Sequence, residues 1–565
     1  MIVMNGANIL LEMLERYNVK YVFGLPGETS LALYEEWEKY NEKIRHVLVR
    51  DERNSVYMAD AYAKIAFQPG IVEGPSVGST YMLPGIAEAY KSATPLIIIT
   101  TDTPLGSEYK NVLTSIDQSG IFQKITKSTY TVYSISDLPL IIRKAFRIST
   151  SGRPGPVNIR IPSNVLEDNV KDPEIYSQNE FSKYPAIRIV DDEEKIKEIS
   201  EMLMKAEKPV IICGQGVLYS QAWNEVTELA ELLDIPVGST ITGKGCISEL
   251  HPLSIGVVGG RGGSSFSNSV VNDADLIFLL GSNTDSANTN YWTIPSKNKV
   301  IVHIDISFED LGNVYKSINV VGDIKAILRK IIANTKKIQR TAWRNEVNAR
   351  REKFLNHIKE LKEKDSNYIN IPKLIDEMDK LIKDDILIAD PGIGAISTAA
   401  FYKTKYSGRR IIFNYGMGGL GYSIPASVGA YLASRKHIIV LTGDGSFNFS
   451  VGELETIKRY NINVTIILFN NSSYGWIRAE MMLYHNSKYF DTDFSPIDYS
   501  KISEGFGLKS YIIEKNADIA PVLTESFKNT PSLVDIRSIT EDRLLLPVEH
   551  WINKAKENKN NDFIY

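Results

Sequence analysis

Short apolar runs, each bounded by turn residues, recur along the chain with amphipathic stretches of helical spacing between them. In residues 1–170 these runs are Tyr21-Val22-Phe23, Val47-Leu48-Val49 and Leu96-Ile97-Ile98-Ile99. Strand-length runs alternating with helices predict a parallel sheet covered on both faces. A second block, residues 187–335, repeats the scheme with Val210-Ile211-Ile212-Cys213, Leu276-Ile277-Phe278-Leu279-Leu280 and Val300-Ile301-Val302. A third, residues 366–545, carries Ile386-Leu387-Ile388-Ala389, Ile438-Ile439-Val440-Leu441 and Val464-Thr465-Ile466-Ile467-Leu468-Phe469. The predicted fold class is therefore α/β, with three doubly wound parallel-sheet domains. The polar, Pro-containing stretch 171–186 reads as a linker. Residues 335–365, rich in Lys, Arg and Glu at helical spacing, read as a solvated joining helix. Residues 546–565 read as a C-terminal tail, loose from Asn553 to Tyr565. The first and third blocks match in size and pattern without a sequence repeat.

Composition narrows the classes. With 565 residues, 43% hydrophobic and 23% charged, the chain can bury ample core. A net charge of −4 leaves no basic footprint for nucleic acid or an anionic membrane. Cys213 and Cys246 are the only cysteines, so no disulfide framework is expected and the cytoplasm is the expected compartment. Glu12, Glu15 and Arg16 interrupt the apolar pattern at the start, which reads as an amphipathic helix rather than a signal peptide. No apolar run approaches the ~18 residues of a membrane span.

The densest chemistry lies at Gly443-Asp444-Gly445-Ser446-Phe447, between the run ending at Leu441 and the run that leads into Asn470-Asn471. Leu454 and Ile457 mark the inner face of a short helix between them. The unit brings a carboxylate and an amide to the carboxyl ends of neighbouring strands, where open α/β sheets bind ligands. Carboxylate, amide oxygen and loop carbonyls are hard donors suited to Mg²⁺, which shares its coordination with phosphate oxygens. Gly445 and Ser446, with Gly443 ahead of them, let backbone approach an anion beside a helix N-terminus. An ordinary Asp-Gly turn is the alternative on residue types alone. The GDGS start with Asn471 placed 27 positions after Asp444 (471 − 444) resembles the diphosphate-anchoring motif of thiamine-diphosphate enzymes. That resemblance implies that Asp444, the Asn471 side chain and the Ser473 carbonyl hold the metal.

Glu52 follows the run Val47–Val49 and precedes a helix over Ser55–Ala63, a strand-end position that points into a crevice. Flanked by Asp51 and Arg53, it reads equally as a charged turn. The surrounding residues carry a wider resemblance. Phe23-Gly24-Leu25-Pro26-Gly27, Arg50-Asp51-Glu52, Gly74-Pro75-Ser76-Val77-Gly78, Gly85-Ile86-Ala87-Glu88-Ala89 and Arg153-Pro154-Gly155-Pro156-Val157 resemble the acetolactate synthase and pyruvate decarboxylase superfamily. The similarity extends over nearly the whole chain. It implies a pyrimidine-binding domain at 1–170, a central Rossmann-like domain at 187–335 and a diphosphate- and Mg²⁺-binding domain at 366–545. Glu52 would be the cofactor-activating glutamate. In Gly416-Met417-Gly418-Gly419-Leu420-Gly421, the Gly418 carbonyl would accept from the aminopyrimidine amine and Leu420 would hold the cofactor bent. Gly392, Ile393 and Gly394 would add backbone contacts to the diphosphate; an ordinary turn is the other reading.

Substrate residues depart from the pattern. Acetolactate synthases carry Gln at the position of Thr114, Lys at that of Ser163 and Trp at that of Glu480. Glu28 stands where pyruvate decarboxylases place a catalytic Asp and would, as a second catalytic acid, manage protons after decarboxylation, but their adjacent His pair has no counterpart among the seven scattered histidines. A helix beginning near Trp476 would cover the cofactor's reactive end, making Trp476, Arg478, Glu480 and His485 candidate substrate contacts, Arg478 for a 2-oxo acid carboxylate. Gly214-Gln215-Gly216 lacks the third glycine of a dinucleotide fingerprint. Gly259-Gly260-Arg261-Gly262-Gly263 with Ser267-Asn268 resembles only loosely the FAD site of acetolactate synthases, so the central block holds a flavin or adenine nucleotide or stands empty. The expected function is decarboxylation of a 2-oxo acid followed by carboligation, in a homodimer or homotetramer with the site at the subunit interface. The alternatives are a simple decarboxylase giving an aldehyde and a cofactor-binding regulatory subunit without turnover.

Overall fold

The structure is a computed structural model and describes residues 2–107, 109–364 and 367–558. The boundary expected at residue 366 and the tail residues 559–565 lie outside the described residues. The chain divides into two compact units. One comprises Met1–Ile187, Asn414–Arg435 and Ser450–Ile462; the other comprises Arg188–Phe413, Lys436–Phe449 and Asn463–Tyr565.

The first unit holds a parallel sheet running Arg45–Leu48, Tyr21–Gly24, Gly70–Gly74, Leu96–Asp102, Val157–Pro162 and Ser128–Thr131. Every residue of Leu96–Asp102 is buried, as a central strand covered on both faces requires. The helix Glu52–Ala66 starts where the Asp51 side chain accepts from the Arg53 N–H at 2.8 Å. Against it packs the helix Ser423–Ser434, so closely that a Cβ on Gly429 would lie 1.8 Å from the Met58 carbonyl. Tyr422 donates to Asp60, which also pairs with buried Lys64 at 2.7 Å.

The second unit holds two parallel sheets. The central one runs Ser254–Val257, Val237–Ser239, Pro209–Cys213, Leu276–Leu280, Val300–Asp305 and Ile318–Val321. The other runs Ile411–Phe413, Ile386–Ala389, Ile438–Gly443, Val464–Asn470, Ser532–Arg537 and Lys509–Ile513. Ranked by chain order within each sheet, the first and third share the order 2-1-3-4-6-5, while the central sheet is 3-2-1-4-5-6. The three doubly wound α/β sheets expected from the apolar runs are therefore present. Each order reverses direction beside its first strand, which fixes where a ligand crevice opens. The helix Thr341–Glu363 occupies the charged joining stretch and buries only Trp343, Val347 and Ile358.

One expectation changes. Residues 549–557, read as part of a tail, form a helix. Leu545, Leu546, Val548, Trp551 and Ala555 are buried, and at about 1.5–3 kcal/mol for each large apolar side chain this outweighs the Lys- and Asn-rich composition. Among the described residues, no helix is long and apolar enough to cross a membrane.

Candidate active site

In the third sheet the order reverses between Ile386–Ala389 and Ile438–Gly443, which pair from Ile386↔Ile438 to Ala389↔Leu441. Just beyond these strand ends stand Gly392 and Gly443. Among the described residues, a Cβ on either would meet nothing within 4 Å outside the adjoining residues, so backbone lines open space there. Gly392 has φ +102 and begins the helix Ile393–Phe401; Gly394 lies against the Leu441 carbonyl, with 2.9 Å left for a Cβ. Gly445 is hemmed by the Tyr474 ring, and Ser446 is buried in the one-turn helix Asp444–Phe447.

Asp444 is buried, its carboxylate accepting from the N–H groups of Gly445 at 2.8 Å and Ser472 at 2.6 Å. Asn471 turns its amide oxygen to the Ser473 N–H at 3.1 Å and donates its Nδ2 to Glu541 at 3.0 Å. The Ser473 hydroxyl is buried without a partner among the described residues. Glu541 was missing from the sequence reading; its only local signal is an acidic pair, Glu541-Asp542, past the strand Ser532–Arg537. Burial raises Asp444 to about 6 and Glu541 to about 7, the latter also through the Asp444 charge. No cationic side chain pairs with either carboxylate among the described residues. Two buried, uncompensated carboxylates with an amide oxygen beside open strand ends fit a hard divalent cation.

The first unit holds the remaining cofactor candidates. Glu52 is buried at the start of its helix, its Oε1 only 2.6 Å from where a Cβ on Gly78 would lie. Burial, reinforced by the charges of Asp51 and Glu73, raises its pKa. A carboxyl of this kind can hold a proton nearer neutrality than an exposed one. Glu28 is exposed at the beginning of the turn Glu28–Ser30. Thr114 is exposed at φ +70, an outlier for a β-branched residue, with its carbonyl accepting from Ser76 at 2.6 Å. Gly418 takes φ +72 and Leu420 is half-buried.

The helix Gly475–Tyr484 carries the substrate candidates but commits most of them within the chain. Arg478 does not offer a free fork: it pairs with Asp493 at 2.6 and 2.8 Å and with Asp542 at 3.3 Å. Trp476 donates to Glu480 at 3.1 Å and packs on Trp551 with ring centroids 4.2 Å apart. His485 is exposed beyond the helix end.

In the central sheet the residues proposed for a flavin are bonded to the chain itself. A Cβ on Gly259 would lie 1.8 Å from the Asn288 carbonyl, and one on Gly263 2.3 Å from the Gly259 carbonyl. Asn268 bonds both the N–H and the carbonyl of Gly259. Ser267 donates to the Val257 carbonyl. Gly259, Gly263, Ser267 and Asn268 are thus engaged with the chain itself.

Comparison with known proteins gives three matches in chain order. Models described as the N-terminal TPP binding domain, the central domain and the C-terminal TPP binding domain of thiamine pyrophosphate enzymes match residues 4–121, 196–331 and 392–536. The chain belongs to the thiamine pyrophosphate enzyme family. Within it, the likeness is to acetolactate synthase large subunits. The probable large subunit of Methanocaldococcus jannaschii is 32% identical, over 94% of this chain and 92% of the relative. The large subunit of Lactococcus lactis is 31% identical over 96% and 94%. The isozyme 1 large subunit of Escherichia coli is 29% identical over 95% of each.

Proposed function

We propose that this chain decarboxylates a pyruvate-like 2-oxo acid and joins the remaining acyl group to a second carbonyl compound, as an acetolactate synthase does, using thiamine diphosphate and Mg²⁺. Bound thiamine diphosphate would supply the nucleophilic carbon and the electron sink for loss of carbon dioxide. Asp444, the Asn471 amide oxygen and the Ser473 carbonyl would hold Mg²⁺. Backbone at Gly392, Ile393, Gly394, Gly443, Gly445 and Ser446 would approach the diphosphate. Glu52 would exchange a proton with the aminopyrimidine, burial keeping its carboxyl accessible in both forms. Gly418 would accept from the pyrimidine amine and Leu420 would support the ring. Glu28 and His485, both exposed, and Thr114 are left for the substrate side; Arg478, committed to two aspartates, is not assigned there. No flavin is placed in the central domain. A homodimer or homotetramer and a cytoplasmic location complete the reading, the latter supported by two buried free cysteines.

The observation that carries the proposal is the Asp444–Asn471–Glu541 cluster beside two open glycines at the third sheet's reversal. Incubation of the purified protein with pyruvate, Mg²⁺ and thiamine diphosphate tests it. Product that yields acetoin after acid treatment is expected. Acetaldehyde alone would instead mark a simple decarboxylase. Cofactor uptake without turnover of pyruvate or bulkier 2-oxo acids would mark a regulatory subunit.

A further inference from the structure

Glu88 lies in the helix Leu83–Lys91 and is 1% exposed, yet no cation pairs with it among the described residues. An isolated buried carboxylate is expensive unless hydrogen bonds replace its water. Here four donors do so. Oε1 accepts from the Gly416 N–H at 2.9 Å and the Ser92 hydroxyl at 2.8 Å. Oε2 accepts from the Met417 N–H at 2.7 Å and the Gly418 N–H at 3.2 Å. Three successive backbone N–H groups around one anion form a nest, and charge-assisted bonds are roughly twice as strong as neutral ones.

The loop so gripped buries little of itself: Met417, at its apex, is 61% exposed. The grip therefore fixes backbone orientation rather than packing a side chain. Gly416 has no room for a Cβ, which would lie 2.5 Å from the Ser92 hydroxyl, and Gly418 sits in the left-handed region. Asn414 occupies the next carbonyl, that of Gly419, at 2.6 Å. No described hydrogen bond uses the Gly418 carbonyl. The bonds to Glu88 fix the peptide plane ahead of Gly418 and the Asn414 bond fixes the one after Gly419, so the plane that carries the Gly418 carbonyl is held between two anchored planes before any ligand arrives.

We infer that Glu88 is a positioning residue that orients the Gly418 carbonyl to select the exocyclic amine of the cofactor's pyrimidine. This rests on the thiamine-diphosphate reading above. Gln in place of Glu88 keeps the shape but can no longer accept from both sides of the nest.

The test compares, by calorimetry, the affinity of the whole protein with Mg²⁺ for thiamine diphosphate and for the analogue in which oxygen replaces the pyrimidine amine. The native chain should prefer the amine, and Glu88→Gln should lose about tenfold of that preference, the worth of one hydrogen bond. Equal weakening of both ligands, with the preference intact, would mean a merely structural role and overturn the inference. Native protein that binds both ligands equally would also overturn it. Native protein that binds neither would overturn the cofactor reading itself. Should Glu88→Gln fail to fold, Gly416→Ala keeps the carboxylate but sets a Cβ 2.9 Å from its Oε1, pushing the loop off the grip, and is expected to lose the preference likewise; a retained preference there counts against Glu88.

Discussion

The central and third sheets are both six-stranded and parallel, and each reverses its order beside its first strand, yet one crevice is closed and the other open. In the central sheet Gly214 and Gly216 follow Pro209–Cys213 and meet Gly281, which follows Leu276–Leu280. A Cβ on Gly214 would lie 2.2 Å from the Gly281 carbonyl, and that carbonyl accepts from the Gly216 N–H at 2.9 Å. Beyond the third sheet's strand ends a Cβ on Gly392 or Gly443 would meet nothing within 4 Å outside the adjoining residues, and Asp444 and Glu541 lie buried nearby without a counter-ion among the described residues. Glycine at a strand end is thus no signal for a ligand by itself. What its missing Cβ makes room for decides the matter: chain in the central domain, and something from outside in the third.

The comparison breaks most sharply at Asp444. Asp444→Ala is expected to weaken Mg²⁺-assisted thiamine diphosphate binding by about 100-fold or more, about 2.7 kcal/mol, by calorimetry. The metal-free protein should be no less stable for it, because burial makes the ionised carboxylate a liability there. A drop in melting temperature with unchanged cofactor affinity would reverse the roles assigned to the two sheets. Next in size is Gly214→Ala. Its Cβ must displace backbone, so a loss of about 1–3 kcal/mol in urea unfolding is expected. Cofactor affinity measured below the transition should stay as it was; weaker binding would mean that the closed crevice serves the ligand after all.

The sheets were legible because strands buried on both faces leave continuous apolar runs, such as Leu96–Ile99 and Ile438–Leu441. The cluster around Asp444 was legible because its Asp, Gly and Asn fall on one strand–turn–helix–strand unit. Glu541 and Glu88 were not. Their meaning depends on donors 70 and 328 positions away, and nothing local separates them from solvated surface acids. Arg478 misled for the same reason, since its partners Asp493 and Asp542 lie 15 and 64 positions downstream. The last helix was misjudged differently. Trp551, Ile552 and Ala555 give it an apolar face, but Lys and Asn dominate the composition around them.

Two smaller effects sharpen the contrast. Gly443→Ala introduces a methyl group that meets no described residue within 4 Å beyond its chain neighbours, at a backbone conformation alanine adopts freely, φ −90 and ψ 160. Thermal stability should hold while cofactor affinity falls about tenfold, about 1.4 kcal/mol; unchanged affinity would show that the diphosphate does not come this close.

The closed crevice has its own test in acid. His303 donates from Nε2 to the carbonyl of Ser282, the residue after Gly281, and burial pushes its pKa down to about 4. The unfolded chain, with a histidine near 6.5, therefore binds more protons than the native one between about pH 4 and pH 6.5. Stability is fully present above that window and is lost as pH falls through it, by about 1 kcal/mol between pH 7 and pH 5.5. His303→Asn keeps an N–H for the carbonyl and removes the titration, so urea unfolding of the variant should show a shallower acid slope. His550, also pushed to about 4 by burial, accounts for part of what remains. An unaltered slope would mean that the central crevice is held shut by its glycine contacts alone, with the His303–Ser282 bond contributing nothing that acid can remove.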